Sequence, residues 1–130
     1  MKVLVVVEDD PDIQFLIQTV FFLDSRFSVR GGAASAEEGF ELARTAAPEL
    51  IVLDHGLAGA MTGLEAAPHF RELAPEAKII LFTAHAELQV RADAEPAIDA
   101  FLLKTDVERL LALAQRLTGL DALSKERTQE

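Results

Sequence analysis

Six residues carry the chemistry open to this chain: Glu8, Asp9, Asp10, Asp54, Thr83 and Lys104. The three adjacent acids follow an apolar run over 3–7, Asp54 follows 50–53, Thr83 follows 79–82 and Lys104 follows 101–103. Crowded carboxylates repel and raise one another's pKa unless a cation holds them. That cation would be hard and oxygen-loving, and Mg²⁺ takes one or two carboxylates together with water and phosphate oxygens. Asp10 has a plainer reading as a helix N-cap, so Glu8 and Asp9 are the candidate metal ligands. Asp54 can be a loop-start residue bonding nearby backbone. It can also be a nucleophile, because carboxylates form aspartyl-phosphates. Gly56, two residues on, can offer its backbone carbonyl to the same cation. Thr83 is a good strand residue and Lys104 a plausible turn residue. Set opposite Asp54, the hydroxyl can donate to a phosphoryl oxygen and the ammonium can act as its point charge. Phosphoryl transfer asks for positioning and charge neutralisation, and this set supplies both.

The elements that must position these groups alternate along the chain. Continuous Val/Ile/Leu runs are strands buried on both faces, and such sheets are parallel with helices on either side. The carboxyl ends of all strands then line one edge, where open α/β sheets bind ligands. Strands are predicted over 2–7, 27–31, 49–53, 78–82 and 100–103, the second at an edge. Asp10-Pro11 opens a first helix, in which Ile13, Leu16, Ile17, Val20 and Phe21 face the sheet. Ser35 to Glu38 forms a capping box that starts a second helix. Residues 55–62 form a loop, 63–73 a third helix and 87–93 a weakly patterned fourth. Thr105 to Glu108 reads as another capping box, leading into the helix of Leu110, Leu111, Leu113, Ala114 and Leu117 with Gly119 as its C-cap. Residues 124–130 lack apolar periodicity. The expected division is a domain over 1–119 and a polar, disordered tail over 120–130. The expected fold is α/β, a three-layer doubly wound flavodoxin-like architecture with five parallel strands in the order 2-1-3-4-5 and five helices.

Bulk properties narrow the function. The 130 residues suit one domain, and a net charge of −10 disfavours a direct nucleic-acid partner. No apolar run approaches the ~20 residues of a membrane span, and no secretory signal opens the chain. The absence of Cys excludes disulfides and thiolate metal sites and fits a cytoplasmic protein.

The ordered set resembles the receiver domain of a two-component response regulator, stand-alone and single-domain, over roughly 2–118. Residues 7–11, Val-Glu-Asp-Asp-Pro, resemble the family's acid pair after the first strand. Leu53-Asp54 resembles its phosphoacceptor, Thr83-Ala84 its small hydroxyl residue followed by a small one, and Phe101 to Lys104 its switch aromatic before the Lys. The resemblance implies a phospho-switch without turnover of outside substrates. A histidine kinase or histidine phosphotransfer protein passes a phosphoryl group to Asp54 with Mg²⁺ or Mn²⁺ bound. Thr83 then moves toward it, Phe101 turns inward, and an unnamed downstream protein reads the fourth helix, fifth strand and fifth helix. Phe101 as a plain core aromatic stays open.

Three departures bear on this. Ala58 and Thr62 stand where the family has Pro and Gly, so loop 55–62 is expected to be one residue longer and mobile without metal. Thr105 replaces the Pro that commonly follows the Lys through a cis bond; either Lys104–Thr105 is trans with the Lys aimed differently, or the site is strained. His85 stands where family side chains tune hydrolysis of the phospho-Asp; its alternative is an exposed loop His. Among rivals, Asp-nucleophile phosphatases need an acid where Gly56 stands, and the acid triplet would repel an FMN phosphate. A degenerate receiver, binding partners without phosphorylation, remains the strongest alternative.

Overall fold

A computed structural model of the chain describes residues 1–120; the expected tail over 120–130 falls, apart from Leu120, outside the described residues. Ten regular elements alternate: β1 (Lys2–Val7), α1 (Pro11–Phe22), β2 (Phe27–Ala33), α2 (Ala36–Ala46), β3 (Leu50–Leu53), α3 (Gly63–Leu73), β4 (Lys78–Thr83), α4 (Gln89–Asp93), β5 (Ala100–Leu103) and α5 (Leu110–Leu117). The strands form one sheet in the order β2-β1-β3-β4-β5, every pair parallel. This is the expected flavodoxin-like topology.

Side-chain alternation divides each strand between two cores. Val5, Val7, Ile51, Leu53, Ile79 and Leu81 pack with α2, α3 and α4 on one face. Leu4, Val6, Leu50, Val52, Ile80, Phe82 and Leu102 pack with α1 and α5 on the other. Registers such as Val7↔Leu53 and Leu53↔Leu81 bring the strands to a common edge, with Glu8, Asp54 and Thr83 at their carboxyl ends.

Several local expectations are corrected. β2 runs on through Gly31 and Gly32 to Ala33, because a bulge opposite Leu4 and Val5 absorbs Arg30, and Gly31 takes φ +149°. Leu16 points to solvent rather than to the sheet; only Ile17 and Phe21 of α1 are fully buried. At α2, Ser35 caps Glu38 N, but the Glu38 carboxylate reaches back to Ala34 N at 2.9 Å, one residue before the box pattern. The genuine capping box is Thr62 with Glu65, at the start of α3. The weakly patterned fourth helix is a 3₁₀ turn at Ala86–Leu88 followed by five α-helical residues. The Thr105 capping box does not form: Lys104–Arg109 is 3₁₀, with Asp106 at non-helical φ −104°, ψ 33°, and α5 starts only at Leu110. Gly119 does close that helix, at φ +81°.

Candidate functional site

Among the described residues the buried polar side chains are Glu8, Asp54 and Thr83. Each follows or ends a central strand, and all three lie at the same edge of the sheet. Backbone hydrogen bonds hold their positions: Glu8 N donates to Ala33 O at 2.8 Å and Asp54 N to Val7 O at 2.9 Å. Gln14 of α1 secures the first of these ends, its Nε2 donating to Glu8 O at 3.0 Å and to Ala33 O at 3.4 Å. Asp10 caps α1, accepting from Asp12 N and Ile13 N, and is absent from the carboxylate cluster.

Lys104 joins the acids. Its Nζ lies 3.0 Å from Asp54 Oδ2 and 2.9 Å from Glu8 Oε1. The second contact is an ion pair off the hydrogen-bond direction, since Glu8 Oε1 makes no directed hydrogen bond while buried. Asp54 Oδ1 accepts from His55 N at 2.7 Å, and Glu8 Oε2 accepts from Asp10 N at 3.1 Å. Burial pushes the Glu8 carboxyl up to about 7; the Lys104 ammonium beside it opposes this and the Asp54 charge adds to it. For Lys104, burial favours the neutral amine, but the Glu8 and Asp54 carboxylates overcome it and raise the ammonium pKa. Two buried acids therefore share one Lys, leaving a negative site with capacity for more positive charge.

The residues present fit a cation. Carboxylate oxygens of Glu8, Asp9 and Asp54 lie within 4.8 Å of one another. Mg²⁺–oxygen distances of 2.0–2.1 Å place opposite ligands about 4 Å apart, so small side-chain adjustments close the set. Asp9 faces solvent, and Glu8 Oε1, paired with Lys104 but making no directed hydrogen bond, keeps lone pairs for a cation. Gly56 offers only backbone, sits in the loop after Asp54, and has open space where a side chain would be.

Thr83 is fully buried and its Oγ1 accepts from His85 N at 3.2 Å. The His85 imidazole is turned to solvent, its Nδ1 3.5 Å from Glu87 Oε2. Phe101 is half-buried beside the core under α3 and α4 and lines a groove of ≈ 590 Å³ with Gln89, Leu103, Asp106 and Arg109. The Lys104–Thr105 bond is trans, yet Lys104 still reaches both acids, so the expected choice between a redirected Lys and a strained bond does not arise. At loop 55–62, expected to be mobile without metal, Ala58 N donates to Ala34 O at 3.0 Å and Gly63 N to His55 O at 2.9 Å.

Two groups escaped sequence reasoning. Gly63 packs so tightly beneath the loop that a Cβ there would lie 2.0 Å from Asp54 O. Its signal was the Thr62–Glu65 pattern, which fixes the first residue of α3. His55 contributes its backbone N–H to Asp54, and its side-chain Nδ1 is buried with no hydrogen bond. Burial, and then the Arg91 charge, lower the His55 pKa.

Comparison with known proteins agrees with this geometry. The family model of the response regulator receiver domain matches residues 4–115. The nitrate/nitrite response regulator protein NarL of Escherichia coli is 31% identical over 125 residues, 94% of this chain. The chain spans 57% of that relative's length. The structure of response regulator protein TrrA from Thermotoga maritima in complex with Mg²⁺–BeF superposes with a TM-score of 0.79 at 27% identity, covering 90% of this chain and 99% of that one. A CheY-like receiver domain protein from Methanospirillum hungatei gives 0.79 at 26% identity, covering 97% and 98%. With its sheet order, its buried acids and its bridging Lys, the chain belongs to the response regulator receiver domain family of two-component systems.

Proposed function

We propose that this receiver is a phosphorylation switch in which Asp54 accepts a phosphoryl group from a histidine kinase or histidine phosphotransfer protein. A carboxylate oxygen of Asp54 attacks phosphorus, the P–N bond to the donor His breaks, and the imidazole nitrogen leaves with the electron pair. Lys104 holds Asp54 in place and balances the charge that arrives with the phosphoryl oxygens. Thr83 donates its hydroxyl to one of those oxygens. Mg²⁺ or Mn²⁺, held by Glu8, Asp9, Asp54 and the Gly56 carbonyl, supplies further charge neutralisation when bound. The domain turns over no outside substrate, since Gly56 stands where a general acid would serve. Output passes to a downstream protein in the cytoplasm through the groove beside Phe101.

One observation carries this reading: buried Glu8 and Asp54 share a single Lys104 at the edge where Thr83 also ends. The Mg²⁺–BeF complex of the Thermotoga maritima protein supports Mg²⁺ as the cation. His85 is proposed to assist the water that later hydrolyses the adduct, from its place two residues after Thr83.

The test is amide hydrogen exchange with and without Mg²⁺ and beryllofluoride, on the wild type and on Asp54→Ala. A switch predicts changed protection over 83–109 in the wild type alone. No change in the wild type would favour the degenerate receiver, which binds partners unmodified. In parallel, phospho-Asp54 should outlast the wild-type adduct in His85→Ala; an unchanged lifetime removes that role.

A further inference from the structure

Helix α1 is apolar on both sides. Its inner face buries Ile17 and Phe21 against the sheet. Its outer side and C-cap carry Phe15, Leu16, Phe22 and Leu23, which are 72%, 40%, 79% and 79% exposed. From Pro11 to Leu23 the one charged side chain is Asp12, in the first turn, although 26% of the chain is charged. Phe15 and Phe22 are two turns apart, as are Leu16 and Leu23, so with Thr19 they form one stripe along the helix. The Thr19 hydroxyl donates to Phe15 O at 2.8 Å, leaving no unmet donor in the middle of the stripe. An exposed apolar stripe on the side of a helix away from its core marks a surface for a partner.

The stripe is complementary to itself. A Phe and a Leu lie four and three residues before Thr19, and a Phe and a Leu lie three and four after it. An antiparallel pair with its two-fold axis at Thr19 sets Phe15 against Leu23 of the second copy and Leu16 against Phe22. Each contact then matches a ring with a branched aliphatic side chain, and the small Thr19 lets the helices approach closely. This is the isologous pattern that a two-fold dimer requires. The four side chains present on the order of 450 Å² of apolar surface per copy, taking 150–250 Å² for a whole Phe. A stable pair buries ≈ 800 Å² per partner, somewhat more than half of it apolar. The chain's net charge of −10 opposes association in general, but the stripe itself is uncharged.

We propose that two copies of this chain pair through α1, antiparallel, with Thr19 at the two-fold axis. The pairing does not depend on the chemistry at Asp54.

Sedimentation equilibrium of the full chain across micromolar to near-millimolar concentration tests it. The wild-type mass should rise from 14.1 kDa toward twice that value. Phe22→Glu, at an exposed site, should hold the monomer mass with unchanged circular dichroism, and Leu23→Lys should do the same. Because the chain has no Cys, Thr19→Cys introduces a single thiol. Helix axes 8–10 Å apart bring facing Cα atoms into disulfide range, so oxidation should lock a covalent dimer. Thr45→Cys on α2 should give none. A wild type that stays monomeric at the highest concentration overturns the proposal. A dimer that survives Phe22→Glu, or that Thr19→Cys fails to lock, overturns it in favour of another face.

Discussion

At the scale of single residues, the site depends on how closely backbone and side chains approach around Asp54. Lys104 spans two buried acids, and its charge is what makes their shared burial tolerable. Gly63 matters for the opposite reason, through the side chain it lacks. A methyl group there meets the Asp54 carbonyl oxygen at 2.0 Å and its carbon at 2.8 Å, both backbone atoms that cannot swing aside. Gly63→Ala should therefore cost about 1–3 kcal/mol in urea unfolding, the range for overpacking a closed site. It should also slow phosphorylation of Asp54 by displacing the loop. A variant of unchanged stability would show that the loop yields without strain. The acids, Asp54, Thr83 and Lys104 were legible in the sequence because each abruptly ends an apolar run. Gly63 was not, because close backbone approach leaves no mark beyond the glycine itself. The outward turn of Leu16 was hidden too, since an apolar residue beside the inner stripe looks like part of it.

Among elements, the connections behave less predictably than the strands. Parallel strands buried on both faces announce themselves; their alternation with helices points to a doubly wound sheet, and the flavodoxin-like order expected for it is the one found. The start of α5 did not follow: Thr105 to Glu108 has capping-box residues, yet Asp106 leaves helical geometry and the segment winds as 3₁₀. That 3₁₀ segment begins at Lys104, whose side chain reaches Glu8 and Asp54. The α1–β2 turn shows the reverse, a tertiary tie that the sequence hid. Asp24 accepts from Arg26 Nε and Nη2 at 2.9 and 2.8 Å, and from Gln115 of α5 at 2.9 Å. The Arg26 guanidinium, aided by its backbone N–H and by Gln115, holds the Asp24 carboxyl well below the usual carboxylate range. Because the folded pKa lies below the unfolded one, this contribution is complete above about pH 4 and is lost as pH falls further. Asp24→Asn should be less stable than the wild type by about 2 kcal/mol at pH 7, as for a hydrogen bond to a charged group. The gap should narrow below pH 4 in urea unfolding. A gap independent of pH would mean that the carboxylate charge contributes nothing.

For the whole molecule, two cores lie on either side of one sheet, and the buried polar side chains among the described residues meet at its carboxyl edge. The proposed switch would travel from that edge across β4 and β5 to the groove beside Phe101, where α4 is short and the first turns of the last helical segment are 3₁₀. Elements with few regular hydrogen bonds open at low free energy, which suits a surface that must change. Among the described residues no helix is long and apolar enough to cross a membrane. The central claim is that Asp54 is a cation-dependent phosphoacceptor. Intact mass after incubation with acetyl phosphate and Mg²⁺, on the wild type and Asp54→Ala, tests it most directly. The account predicts one added phosphoryl group on the wild type, absent in the variant and absent with chelator. An unmodified wild type, or an adduct that persists in Asp54→Ala, would contradict it.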